Sequence, residues 1–414
     1  MTMAVRRLGM VVAVLIAVLP ALAGAAASTA MPGWSAVWTA AQQQPDPGAG
    51  NWSASGFGDE TIRQVVRVSA GGPALRIRLS NRYGRAATAV THATVAHGAA
   101  GGSLRPESVR PLTVGLAPSF DIPPGAEIAT DPVALATTAG DSVTVSMYFA
   151  RPTGPATHHA QASATTFRAA GDHAADADAT GFTAVSRSWY YLAGVDVVRA
   201  AAHPDVTVAF GDSITDGYGS TADRNRRYPD ELAELLTGAG RSRPVLNAGI
   251  SGNRVTVDSP LLGDSAVARF GRDALRQPGV GSVVVLEGIN DIGLGGGIGP
   301  DGRRSATVSA GRLIDGHRNL IRQARAAGIR IVGATMLPFA GSAYYTADKE
   351  HVRTAVNTWI RTSSEYDAVV DLDAAMAAPT DRTRLRPAFD SGDHLHPSDA
   401  GYRALAAAVT DSGL

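Results

Sequence analysis

Cysteine is absent from this chain of 414 residues. That excludes disulfides, thiolate metal sites and a cysteine nucleophile at once. Stability has to come from packing, and the length, with 45% apolar residues, suffices for two domain-sized cores. Net charge is missing as well. The 37 basic and 37 acidic residues cancel, so neither nucleic acid nor an anionic membrane surface is indicated as a partner. Lysine is all but absent: Lys349 is the only one, and arginine carries the remaining positive charge. With the abundance of Ala and Gly this marks a GC-rich genome and excludes no chemistry.

Long apolar runs are also lacking beyond the N-terminus, where Val11 to Leu22 forms one. Arg6 and Arg7 precede it, and small residues from Ala23 to Ala30 follow with several A-x-A-like sites, so residues 1–30 are expected to be a cleaved export signal. The alternative is a membrane anchor, which Pro20 and the small-residue tail disfavour. Arg6-Arg7 also admits a twin-arginine route, although the flanking residues match that pattern poorly. The expected mature protein is extracellular, without stable membrane insertion.

What is present divides the chain in two. Residues 31–198 are predicted to form an all-β domain, a sandwich or jelly roll. Leu75, Ile77 and Leu79 alternate with Arg76, Arg78 and Ser80, and Val143, Val145, Met147 and Phe149 with Thr144, Ser146 and Tyr148. Period two implies one buried and one wet face. Gly71-Gly72-Pro73, Asn81-Arg82-Tyr83-Gly84, Gly101-Gly102, Pro123-Pro124-Gly125 and Gly140-Asp141 punctuate these runs as turns. Ala160 to Thr180 reads as a loose loop, Ser188 to Tyr191 as the start of a last strand, and Arg199 to Pro204 as the linker.

Residues 199–414 read as α/β. Apolar strands begin at Val206, Val245, Ser282, Arg330 and Ala368, and helical segments fit between them, notably from Pro229, Arg312 and His351, with Gly401 to Val409 last. Continuous Val/Ile/Leu strands separated by helices predict a five-stranded parallel sheet covered on both faces. Ligands on such sheets bind beyond the carboxyl ends of the strands. Ser213 follows the first strand, Gly252 the second and Asn290 the third, so all three are expected at one edge.

These residues form a complete set for ester hydrolysis. Ser213, on a turn after Gly211, is the candidate nucleophile and needs a general base within reach; the alternative is a helix N-cap. His396, held by Pro397, is the candidate base, and Asp393 three residues earlier can fix its tautomer. His394 is a rival base with more awkward geometry, and the cluster could instead merely cap the last helix. The Ser213 and Gly252 amides and the Asn290 side chain are candidate oxyanion donors, worth about 3 to 4 kcal/mol each; Asn290-Asp291 could otherwise be a plain turn former.

The blocks Gly211-Asp212-Ser213, Gly252, Gly288-Ile289-Asn290-Asp291 and Asp393 with His396 resemble the SGNH branch of the GDSL esterase/lipase family. The resemblance covers roughly the C-terminal half. It implies a flavodoxin-like three-layer domain and metal-free Ser-His-Asp acyl-enzyme chemistry, with no cofactor. Arg227-Tyr228-Pro229, Asn253-Arg254 and the run Asp390 to Tyr402 are similar to a secreted subgroup of acylhydrolases encoded beside xylanases. Members of that subgroup carry an N-terminal β domain, which Val66-Arg67-Val68-Ser69 and Leu79-Ser80-Asn81 resemble. Related secreted lipases are disulfide-bonded, and this chain cannot be.

Several residues carry secondary expectations. Arg254 could contact an acyl carboxylate or a sugar hydroxyl, or pair with Asp291 or Asp258. Phe339, with Tyr344-Tyr345, could wall a sugar or acyl group, or be core. Glu287 is expected in a buried polar network, Gly293 to Gly299 as a flexible loop, and His158-His159 at the surface. The expected function is that of a secreted serine esterase acting on short acyl esters, acetyl above all, of a polysaccharide. The alternatives are a lipase, lysophospholipase or arylesterase, a glycan-binding protein with a silent hydrolase domain, and an acyltransferase.

Overall fold

The computed structural model describes residues 33–48, 50–199, 205–299 and 302–411. The expected export signal, residues 1–30, and residues 200–204 of the expected linker lie outside the described residues.

The N-terminal half is a β-sandwich. Its four-stranded sheet runs in the order Gly33–Thr39, Leu192–Arg199, Leu75–Ser80, Glu127–Ala129. The first and last long strands of this half are therefore antiparallel neighbours. A six-stranded sheet, centred on Glu60–Arg67 and Ser142–Phe149, faces it. Leu75, Ile77, Leu79, Val143, Val145, Met147 and Phe149 meet in one core between the sheets, as the period-two pattern requires.

The opposite faces depart from that pattern. Asp196 is fully buried between Arg76 Nε at 2.9 Å and Arg78 Nε at 3.0 Å. Arg78 Nη2 continues to Gln277 Oε1 at 2.7 Å. This face of the sheet docks on the C-terminal half, where Ala36 joins the second core and its amide donates to Pro278 O. The other outer face is covered by the segment expected to be a loose loop. That segment contains the strand Thr166–Ala170, and its coil wraps Arg63. The buried Arg63 guanidinium donates to the carbonyls of His173, Asp176, Asp178 and Gly102. With Nε on Ser146 Oγ at 3.0 Å, all five guanidinium donors are spent, three of them on the coil, which they order.

The C-terminal half is a five-stranded parallel sheet in the order Val245–Gly249, Val206–Gly211, Val280–Leu286, Arg330–Ala334, Ala368–Val370. In chain order this is 2-1-3-4-5, the flavodoxin-like arrangement. The strands are buried on both faces, which is why their sequences run apolar without alternation. Tyr228–Gly238 packs with Asp399–Asp411, and Ala310–Ala326 with Ala347–Thr362, so helix pairs complete the layers. Ser309 and Thr346 cap two of these helices. Among the described residues no helix is long and apolar enough to cross a membrane.

Candidate active site

Parallel register brings the motif-bearing turns together. Gly211 is level with Gly249 on one side and Leu286 on the other, so the first three strands end side by side. The reversal of strand order falls between the second and third strands of the chain, around the first, where a crevice opens beyond the carboxyl ends.

After Gly211 the chain turns into the short helix Ser213–Asp216. Its N-cap is Asp212, whose Oδ1 accepts the Ile214 amide at 3.0 Å. The capping role proposed as the alternative for Ser213 is therefore taken by its neighbour. Ser213 Oγ instead lies 2.8 Å from His396 Nε2. His396 Nδ1 lies 2.6 Å from Asp393 Oδ2. The other oxygen of Asp393 accepts the amides of Leu395 and His396. Burial raises the Asp393 pKa, but the His396 bond and these two amides outweigh it and hold the carboxylate below its ordinary range. His394 binds Asp390 instead, through Nδ1 at 2.5 Å, and does not reach Ser213.

Gly252 lies in the turn after the second strand with φ of 81°, a left-handed conformation. A Cβ there would sit 2.4 Å from Leu262 Cδ2. Among the described residues neither the Ser213 nor the Gly252 amide is spent on another protein group. Asn290 lies in the helix Ile289–Leu294, after Gly288 with φ of 119°. Its Nδ2 donates to Asn253 O at 3.1 Å, which ties it to the Gly252 turn and leaves its second hydrogen available. Tyr344 donates its hydroxyl to Asn290 Oδ1 at 3.0 Å. Gly293 makes room for that tyrosine, because a Cβ there would lie 1.9 Å from the Tyr344 ring.

Beneath the site lies a buried arginine that the sequence did not mark. Arg269 is fully buried. It donates to Gly211 O and Ala248 O, both at 2.8 Å, to Asn253 Oδ1 at 2.8 Å, and more distantly to Glu287. Its guanidinium covers Phe210 at 4.0 Å from the ring centroid. One side chain thus joins the ends of the first two strands, the oxyanion turn and the end of the third strand. Glu287 is in the expected buried network. Burial, then the Asp212 charge, push its pKa well above the usual carboxylate range against the pull of Arg269. Asp212 is pushed up to about 7 by burial, and Asp291 to about 6 by the same cause.

Three secondary expectations are corrected. Phe339 is fully buried and packs edge-on to Tyr345, so it belongs to the core and not to a substrate wall. Arg254 makes no ion pair with Asp291 or Asp258; it is buried and donates to Ser305 Oγ at 2.9 Å, while its charge still acts on Asp291 from a distance. His158 and His159 are not surface residues. Both are buried, His158 within the N-terminal half near Asp46 and His159 at the junction of the two halves on Asp216. The stretch read as a flexible Gly293 to Gly299 loop begins as the last turn of the Ile289–Leu294 helix. The aromatic group at the site is Tyr218, 45% exposed, its ring centroid 4.5 Å from that of His396. Tyr402 fixes it by donating to Tyr218 O. Among the described residues no group of three or more His, Asp or Glu is placed to hold a metal ion.

Residues 209–404 match the GDSL-like lipase/acylhydrolase family. A search of curated proteins gives no match. Solved structures that resemble this one include a G-D-S-L family lipolytic protein from Desulfitobacterium hafniense, at 17% identity and a TM-score of 0.38 over 50% of this chain and 99% of that one. Another is an acetyl xylan esterase, AlAXEase, at 20% identity and 0.39 over 50% of this chain and 100% of that one. A third is a variant of an acetyl xylan esterase from Geobacillus stearothermophilus, at 22% identity and 0.38 over 51% and 94%.

Proposed function

With residues 209–404 placing the C-terminal half in the GDSL-like lipase/acylhydrolase family of serine ester hydrolases, we propose that the protein cleaves short-chain acyl esters, acetyl above all, of hydroxyl-rich alcohols such as polysaccharides. The observation that carries the mechanism is the continuous hydrogen-bonded line Ser213–His396–Asp393.

In that reading Ser213 Oγ attacks the ester carbonyl while His396 Nε2 takes its proton. Asp393 holds the Nδ1 tautomer and stabilises the imidazolium that forms. The negative oxygen of the tetrahedral intermediate is received by the Ser213 and Gly252 amides and the Asn290 side chain. His396 then protonates the leaving alcohol. Water, deprotonated by the same imidazole, cleaves the acyl-enzyme and restores Ser213.

The choice of alcohol rests on the rim beside His396. Ser391, Asp393 and His394 are exposed there, with the Tyr218 ring next to them, a polar and aromatic border suited to a sugar. Export of the mature protein is part of the proposal and rests on the sequence of residues 1–30 alone; N-terminal sequencing of protein recovered from culture medium tests it.

The reaction is tested by hydrolysis of p-nitrophenyl esters from acetate to palmitate and of acetylated xylan, with Ser213→Ala as control. Activity on acetate and xylan that disappears in the variant is the expected result. Preference for long chains would move the enzyme to the lipases. Glycan binding without activity would favour the silent-domain alternative.

A further inference from the structure

The junction between the two halves reaches the active site through one buried histidine. His159 stands on the short strand His158–His159 of the N-terminal half, and both its ring nitrogens meet acceptors only. Nδ1 lies 2.8 Å from Ala41 O, and Nε2 lies 3.0 Å from Asp216 Oδ1 and 3.2 Å from Gln161 O. Acceptors at both nitrogens require a hydrogen on each, which is the imidazolium form. Its ring also stacks on Trp189, with centroids 5.5 Å apart.

Asp216 is the last residue of the helix that begins with Ser213. Its second oxygen accepts the Ser251 amide at 2.9 Å and the Ser251 hydroxyl at 2.7 Å. Ser251 immediately precedes Gly252. Asn247 reinforces the same contact by donating to Thr215 O at 2.9 Å. Gly249 lets the second strand come so close that a Cβ there would lie 2.2 Å from the Asp216 amide. The Ser213 turn and the Gly252 turn are thus joined by one carboxylate, and the cation that neutralises it comes from the other half of the chain.

We propose that His159 is a positioning residue of the hydrolase: through Asp216 and Ser251 it fixes the Gly252 amide against the Ser213 turn, so that the β-sandwich completes the oxyanion site. This rests on the assignment of Ser213 and Gly252 made above. Burial opposes the charge on His159, but the Asp216 carboxylate and the carbonyls raise its pKa above that of an ordinary histidine. The other charged groups lining the small interdomain cavity beside it are matched among themselves, Arg67 with Glu234 and Arg227 with Asp230. Asp216 is therefore the group whose charge His159 answers.

The test compares full-length wild type, His159→Gln, Ser251→Ala and Ser213→Ala on p-nitrophenyl acetate across neutral and alkaline pH, with near-ultraviolet circular dichroism to establish folding. A misplaced oxyanion donor lowers kcat roughly ten- to a hundredfold while KM stays within about twofold. That split is expected in His159→Gln and, in smaller degree, in Ser251→Ala, which keeps the amide bond to Asp216. The wild type should also lose kcat at alkaline pH while still folded, as His159 gives up its proton, and His159→Gln should lack that limb. A histidine that only held the halves together would lower the melting temperature and leave kcat, KM and the alkaline limb of the folded protein alone; that outcome overturns the proposal. Should His159→Gln fail to fold, Ser251→Ala decides, since it removes the hydroxyl bond to Asp216 without touching the junction; wild-type kcat there overturns the proposal. Full activity in Ser213→Ala would instead sink the site assignment, and the positioning role with it.

Discussion

Tyr344 donates its hydroxyl to Asn290 Oδ1 at 3.0 Å, and this bond decides which way the Asn290 amide faces. With the carbonyl end held by Tyr344 and one N–H given to Asn253 O, the remaining N–H is the one left for an oxyanion. Tyr344→Phe frees the amide to turn without opening a cavity. The expected result is a fall of about tenfold in kcat with KM little changed, against two to three orders of magnitude for Asn290→Ala. Steady-state kinetics of the two variants on p-nitrophenyl acetate checks the order; equal losses would remove Tyr344 from the argument.

Ser213→Ala is expected to lose about three or more orders of magnitude in rate. The fold should be unaffected, because the cap of the short helix belongs to Asp212 and, among the described residues, no hydrogen bond but that to His396 engages the Ser213 hydroxyl. Kinetics alongside thermal unfolding tests both halves of the statement.

Arg269→Met is expected to destabilise the protein by about 3–5 kcal/mol, as removal of one partner from a buried charged cluster does. The guanidinium is fully buried, and its loss removes the cation beside Glu287 and a donor from Asn253 Oδ1, Ala248 O and Gly211 O, the last of which keeps the Ile250 amide. Urea unfolding of the variant and the wild type gives the number, and a change under about 1 kcal/mol would show that the cluster relaxes by protonating Glu287.

The parts of this site that can be read from the sequence are those whose identity the chemistry dictates within a few residues. Ser213, Gly252 and Asn290 each follow a recognisable strand, and Asp393 and His396 share one turn. The apolar runs of the parallel sheet are equally legible, because both faces are buried. What escapes is set by distant closure. Arg269 is one arginine among many on an unremarkable helix, and only the folded chain shows five partners around it, Asp273 among them. His159 reads as surface because its carboxylate is 57 residues away on the other half. Alternation in Leu75–Ser80 finds the core face, yet cannot say that the polar face is buried by a neighbouring domain. Phe339 shows the converse error, since an aromatic after a strand is as ready for a core as for a cleft.

The buried carboxyls give stability a pH dependence of definite sign. Asp212 is raised from 3.8 to about 7 by burial, so the folded state holds its proton more tightly than the unfolded chain does. Where both states are protonated, below about pH 4, the group is neutral in its effect. Between there and pH 7 the unfolded state alone is ionised, and each step up in pH favours unfolding until the folded carboxyl also ionises. Carboxylates such as Asp393, lowered in the fold, act in the opposite sense and lose their contribution as pH falls through their folded values. Comparison with a variant cancels the groups that lie away from Asp212. Asp212→Asn keeps a cap for the Ile214 amide and cannot ionise. Its unfolding free energy relative to wild type should therefore rise from pH 4 to pH 7 and level off above. Urea midpoints at pH 4, 5, 6, 7 and 8 measure this, and a difference that stays flat with pH would mean that Asp212 keeps its charge beneath the site.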